Sequence, residues 1–163
     1  MRTRFTSVLT MVAALALVTA GVALAATLKV SSASNPTLGK IVVSSGGLTL
    51  YHNTKETNGK IACNGACLAT WPPLLVTKTE VLRAGPGINA SKLGRIKRPD
   101  GHFQATYYGQ PLYRFSGDSV RGDVNGEGLG GIWFVLKTNG ALAKPSSPST
   151  TTTGTTTTTP YGY

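Results

Sequence analysis

The sequence predicts an all-β domain in which one unit is used twice, forming a pseudo-twofold β-sandwich or barrel with one short helical turn. Three observations predict it. Two stretches repeat each other at an offset of 62 residues: Leu50-Tyr51 matches Leu112-Tyr113, Glu56 matches Asp118, Trp71 matches Trp133 and Leu74 matches Leu136. The chain has only 2 Trp, so two in phase with two Leu-Tyr pairs mark one supersecondary unit used twice, each half burying its apolar face against the other. Apolar positions alternate more often than they follow a helical period. With 20 Gly and regular turn signals, no long segment of 3.6 period remains.

The elements follow in order. Arg2 and Arg4 precede an apolar run from about Val8 to Leu24, and Ala23-Leu24-Ala25 supplies the small residues a signal peptidase reads. A signal peptide over 1–25 is expected, then a linker over 26–37. Ile41 and Val43 alternate, Ser44-Ser45-Gly46-Gly47 turns, and Leu48 and Leu50 alternate again, which predicts a hairpin. A helical turn is expected around Ala66 to Trp71, stopped by Pro72-Pro73. Leu93 to Arg98 reads as a strand, Pro99 to His102 as a turn, and Phe103, Ala105 and Tyr107 alternate down the next strand. Tyr108-Gly109-Gln110 turns the chain, and Pro111 starts another strand where Pro is tolerated. Ile132 to Leu136 is the last strand, ended by Thr138-Asn139-Gly140. Leu38-Gly39-Lys40-Ile41 recurs as Leu93-Gly94-Arg95-Ile96 at an offset of 55, which predicts an additional or longer hairpin in the second unit. The duplicated domain thus spans 38–143, with repeat cores at about 38–76 and 93–137. From 144 to 163 the chain is Ser/Thr/Pro-rich with nothing large to bury before Tyr161, so a disordered tail is expected, an extended spacer open to O-glycosylation.

Charge is one-sided. The sequence holds 16 basic and 6 acidic residues, and losing Arg2 and Arg4 leaves the acids outnumbered more than two to one. A basic exported chain meets anionic envelope polymers before nucleic acid, and its charge argues for salt-sensitive adhesion. Lys92, Arg95, Lys97 and Arg98 form the densest cluster, read as a solvated strand edge or an anion-binding patch. The apolar leader is short for a span and lacks a basic stop-transfer flank, so no stable transmembrane segment is expected after cleavage. No Cys stands near the cleavage point to carry a lipid.

Leu48-Thr49-Leu50-Tyr51, Cys63-Asn64-Gly65-Ala66-Cys67 and Thr70-Trp71-Pro72-Pro73-Leu74 in the first half resemble the secreted repeat family of unknown function. That family is also described as predicted lipoproteins with a Tyr-x-aromatic-x-x-Asp motif. Asp100-Gly101, the run from Gly109 to Asp118, and Gly122 to Gly126 continue the resemblance. Tyr113, Phe115 and Asp118 fit the motif; in the first copy Tyr51 is followed by Asn53 and Glu56, so the aromatic is lost and the acid lengthened. The resemblance implies an exported envelope protein and supplies no activity.

Several residue sets carry chemistry in principle. Cys63 and Cys67 are the only cysteines, and export exposes them to an oxidising compartment. A disulfide closing a short loop under Trp71 is one reading and a reducible redox pair another. His52, Cys63, Cys67 and His102 would together suit zinc or copper. Asp118, Asp123, Asn125 and Glu127 concentrate oxygen ligands in a Gly-rich loop that begins like a calcium-binding loop but lacks its closing Glu; the alternative is a loop whose carboxylates cap backbone N–H groups. Tyr113 and Phe115 share a strand face, with Trp133 near by repeat symmetry, either as core packing or as a platform for glycan stacking. The same repeat logic marks Tyr51, Glu56 and Trp71. No catalytic motif occurs. The expectation is a secreted or wall-associated, non-enzymatic module without cofactor, binding an envelope protein or an anionic cell-wall polymer and no nucleic acid. The alternative is an extracytoplasmic redox or metal-handling protein using Cys63 and Cys67.

Overall fold

The computed structural model describes residues 27–144. The expected signal peptide, and the tail beyond Lys144, lie outside the described residues. Within them the regular secondary structure is mostly strand: β1 (Thr27–Asn35), β2 (Gly39–Ser44), β3 (Tyr51–Asn53), β4 (Leu75–Val76), β5 (Val81–Ala84), β6 (Leu93–Lys97), β7 (Phe103–Tyr107), β8 (Gln110–Pro111) and β9 (Trp133–Val135). One α-helical turn, α1 (Cys67–Thr70), ends where Trp71 leads into Pro72-Pro73. Pro lacks the N–H that a further turn would need. The strands form several sheets, ordered β2-β1-β5, β3-β9 and β4-β7-β6, with β8 on β7. No closed barrel forms.

Each half completes the other. Leu136 N donates to Leu50 O at 3.0 Å, and Leu136 O accepts from Val42 N at 2.8 Å. Symmetrically, Leu74 N donates to Leu112 O at 2.9 Å, and Leu74 O accepts from Ala105 N at 2.9 Å. The Trp-x-x-Leu strand of each repeat therefore sits between two strands of the opposite repeat. These bonds give Val42 and Ala105 equivalent places, so the β1–β2 hairpin corresponds to the β6–β7 hairpin.

That correspondence corrects two expectations. The segment 26–37 is not a linker, because β1 occupies it, antiparallel to β2 and parallel to β5. Its Ser-rich composition hides a strand whose Val30 alone is fully buried. Likewise Leu38-Gly39-Lys40-Ile41 and Leu93-Gly94-Arg95-Ile96 are not counterparts: Gly39 opens the second strand of its hairpin and Leu93 the first of the other.

The period-2 alternation divides side chains between two apolar clusters, one on each face. Val42, Leu50, Leu74, Ala105, Leu112 and Leu136 enter one cluster. Ile41, Val43, Tyr51, Trp71, Tyr113 and Trp133 enter the other. In each Leu-Tyr pair the Leu fills the first and the Tyr the second, as successive strand residues must. β3 and β9 are buried throughout; β9 is accordingly apolar on both faces, whereas β3 buries the polar His52 and Asn53 after Tyr51.

Candidate functional site at the repeat junction

The repeat motif converges where the halves meet. Tyr51 and Tyr113 lie opposite each other in an antiparallel bridge. Tyr51 N donates to Tyr113 O at 2.9 Å, and Tyr113 N to Tyr51 O at 3.0 Å. Their side chains then cross over. The Tyr51 hydroxyl donates to Asp118 Oδ2 at 2.6 Å, and the Tyr113 hydroxyl to Glu56 Oε1 at 2.7 Å. Each tyrosine thus binds the acid of the opposite repeat. The carboxylates are anchored alike: Cys63 N and Ala62 N donate to Glu56 Oε1, while Asn125 N donates to Asp118 Oδ1. All four side chains are buried.

Aromatic rings fill the same junction. Trp71 and Trp133 stack with centroids 3.9 Å apart and planes 6° from parallel. Tyr51 meets Trp71 edge-on at 5.4 Å, and Tyr113 meets Trp133 edge-on at 5.1 Å. Phe115, half-buried, lies 4.7 Å from Trp71. Tyr113 and Trp133 are thus packed inside, while Phe115 packs at the edge of the cluster. Gly126 closes the far side, where a Cβ would fall 2.8 Å from Trp71 Cη2 and 3.0 Å from the Tyr51 ring.

Burial and a neighbouring carboxylate, in that order, hold both tyrosine hydroxyls far above the usual tyrosine range, Asp118 acting on Tyr51 and Glu56 on Tyr113. Both stay protonated, and hence donors, at any physiological pH. Both tyrosine hydroxyls are spent on carboxylates. The arrangement is a lock between two half-domains. Glu56 Oε2 is its one buried oxygen without a partner.

The halves differ in one buried charge that the sequence did not mark. Arg98, 2% exposed, donates to the Tyr113 hydroxyl at 3.2 Å, the Cys63 carbonyl at 2.8 Å, Asn64 Oδ1 at 3.2 Å, Asp100 Oδ2 at 3.1 Å, and Gln104 Oε1. Burial lowers its pKa, but the bonds to Tyr113 and Asp100 outweigh that and raise it. On the other side Gly126 N donates to the Tyr51 hydroxyl instead, at 3.3 Å. The basic run is therefore not a uniform solvated edge. Arg98 is inside, and Arg95 holds the carbonyls of Thr77, Lys78 and Glu80. The only sequence hint was the turn-forming Asp100 two residues on.

The metal-ligand sets are not assembled. Cys63 and Cys67 form a disulfide with Cα atoms 5.4 Å apart. His52 is buried with Nδ1 3.2 Å from the Pro111 carbonyl, and burial lowers its pKa. The neutral Nδ1–H tautomer therefore donates to that carbonyl. His102 is exposed on its turn. Asp123 Oδ2 accepts from Ser119 N and Val120 N at 2.8 and 2.9 Å, and those two bonds depress its pKa. Glu127 Oε2 accepts from Val135 N at 2.7 Å. Asn125 donates its amide to Gly117 O. Among the described residues no three His, Cys, Asp or Glu gather to hold a metal ion. The competing demand is the backbone, whose loop N–H groups take the carboxylates first.

A family model described as a secreted repeat of unknown function matches residues 32–75 and again 94–137, together more than half of the chain. The chain belongs to this secreted repeat family. Its two matched units begin in corresponding strands, at Ser32 inside β1 and Gly94 inside β6, and both end one residue after the Leu of Trp-x-x-Leu, at Leu75 and Lys137. The family unit therefore includes the first hairpin strand that the linker expectation left out. Searches of curated proteins and of solved structures returned no match. Among the described residues no helix is long and apolar enough to cross a membrane.

Proposed function

We propose that this secreted repeat protein is a non-enzymatic module that adheres to an anionic polymer of the cell envelope through its basic surface. One observation carries the reading. Every Lys and Arg of residues 27–144 is exposed except Arg98 and Lys137, whereas Asp100 is the one exposed acid and its carboxylate is paired with Arg98. The acids are consumed by the junction and by loop N–H groups, so the surface is more cationic than the composition suggests. A field of one sign attracts polyanions and fades with salt. The crossed tyrosine–carboxylate bonds support a structural role for the motif residues, and Cys63, 1% exposed, supports a structural disulfide.

The test is retention of the purified protein on immobilised anionic envelope polymer as salt rises. Retention at about 0.05 M salt and release well below about 1 M is expected, because the screening length falls about threefold or more across that range. A neutral polysaccharide column should not retain it. Passage through the anionic column at low salt, or retention insensitive to salt, would refute the proposal.

A further inference from the structure

A serine-lined cavity of about 330 Å³ opens between the β1–β2 hairpin and the loop after Asp118, walled by Ser31, Ser34, Ser44, Ser45, Gly47 and Arg121 among others. Ser32 alone of its serines makes a side-chain hydrogen bond, to the Pro86 carbonyl at 2.8 Å. The hydroxyls of Ser31, Ser34, Ser44 and Ser45 bond to nothing among the described residues. Ser44 is the informative one. The residue is only 8% exposed, yet its unbonded hydroxyl is not one of the buried oxygens without a partner, which are Glu56 Oε2 and Glu127 Oε1, so what Ser44 leaves open is its hydroxyl, facing the cavity. Arg121 is exposed and makes no ion pair; the one ion pair among the described residues is Arg98 with Asp100. Its position is built into the hairpin. A Cβ on Gly47 would fall 2.7 Å from Arg121 Cγ, so the bare tip at φ +84° is what lets the guanidinium stem lie across it.

A second cavity of about 450 Å³ shares Ser44 and Ser45 as a wall and holds Arg114, also exposed and without an ion pair. A guanidinium therefore stands on each side of a shared serine wall. Neither cavity is lined by an aromatic ring, so neither offers a stacking face for a pyranose. The first lies near the lower end of the roughly 300–1,000 Å³ typical of ligand pockets, room for one short unit. The planar guanidinium fork suits a tetrahedral phosphate, and free hydroxyls suit a flexible polyol.

We propose that the Ser44–Arg121 cavity is a subsite for a polyol phosphodiester, Arg121 holding the phosphate and the free serine hydroxyls the polyol. The proposal rests on the polyanion reading above and gives that polymer its chemistry. A phosphate repeated along the chain would reach Arg114 in the adjoining cavity. The same chemistry comes from a wall polymer or from a lipid headgroup.

The experiment measures affinity for soluble poly(glycerol phosphate) at low salt, for the native chain and for Arg121→Gln, Ser44→Ala and Lys78→Gln, each checked by thermal melting. Lys78 is an exposed cation outside both cavities. Arg121→Gln should weaken binding about tenfold, the size of a lost charge-assisted contact. Ser44→Ala should weaken it less, and Lys78→Gln should leave it near the native value. Glycerophosphoglycerol should compete, and polyglutamate of equal charge should not. Vesicles containing phosphatidylglycerol separate the sources: weaker capture than by polymer at equal phosphate assigns the wall polymer, stronger capture the headgroup, and either sustains the site. Equal weakening by Arg121→Gln and Lys78→Gln would overturn the subsite while leaving polyanion adhesion standing. No polymer binding at all would overturn both.

Discussion

Tyr113 of the second repeat donates its hydroxyl to Glu56 of the first at 2.7 Å, while its backbone exchanges both hydrogen bonds with Tyr51. Tyr51 returns the arrangement by donating to Asp118 at 2.6 Å. The motif acid is therefore not a partner for its own tyrosine. It accepts from the tyrosine related to it by the pseudo-twofold axis, and this crossing, together with the exchanged Trp-x-x-Leu strands, makes the two repeats one cooperative body.

The tryptophan stack on that axis gives a direct spectroscopic prediction. Rings 3.9 Å apart and nearly parallel should couple their transitions, producing a paired positive and negative feature in the far-ultraviolet circular dichroism. Trp133→Phe should abolish the couplet and lower stability by about 1–3 kcal/mol, from lost ring area and cavity formation. A spectrum unchanged by Trp133→Phe would refute the stacking.

Reduction of Cys63–Cys67 should cost about 2 kcal/mol of stability by the chain-entropy argument for so short a loop. The loop is further tied by Cys63 N to Glu56 and by Arg98 to the Cys63 carbonyl. Denaturant unfolding with and without reductant measures the cost, and polymer retention should be the same in both states once the protein is folded. Retention that switches on or off with reduction would favour a redox function for the pair.

Glu127 supplies a pH signature. Burial pushes its carboxyl pKa up, only partly opposed by the bond from Val135 N, and its Oε1 has no partner. A carboxyl whose folded pKa is raised destabilises the fold while ionised, and the penalty disappears as pH falls through the folded pKa toward the unfolded value of about 4.3. Glu127→Gln should therefore raise the melting temperature near pH 7, and the gain should shrink as pH approaches about 4. Melting curves of both proteins across that range check it. A difference that grows toward acid would contradict the sign.

Much of this was legible in the residues. The phase of Leu50-Tyr51 with Trp71, and of Leu112-Tyr113 with Trp133, marked the duplication, and alternation placed each Leu and Tyr on opposite faces. Periodicity states which positions are equivalent, but equivalence does not say which copy a strand pairs with. The strand exchange at Leu74 and Leu136 therefore had no signal of its own. β1 was hidden because Ser31, Ser32 and Ser34 read as linker, although two neighbouring strands make its backbone pairing worth more than its side chains. Arg98 was hidden because a cation in a basic run reads as surface. Its five bonds come from residues as distant as Cys63 and Tyr113, and only the fold brings them together. The carboxylates of Asp118 and Asp123 looked like ligands because spacing cannot show that backbone N–H groups have already claimed them.

The locked junction and the cationic surface lie on different side chains, so losing the tyrosine hydroxyls should affect stability and leave polymer binding alone. The double variant Tyr51→Phe/Tyr113→Phe removes both crossed hydroxyls while keeping both rings. Its unfolding free energy and its affinity for anionic envelope polymer should be measured on the same preparation. The account predicts a loss of about 2–6 kcal/mol, since each deletion weakens a buried charge-assisted bond by about 1–3 kcal/mol, with polymer affinity unchanged for the folded fraction. Native stability combined with lost polymer binding would contradict it and make the tyrosine–carboxylate junction itself the binding site.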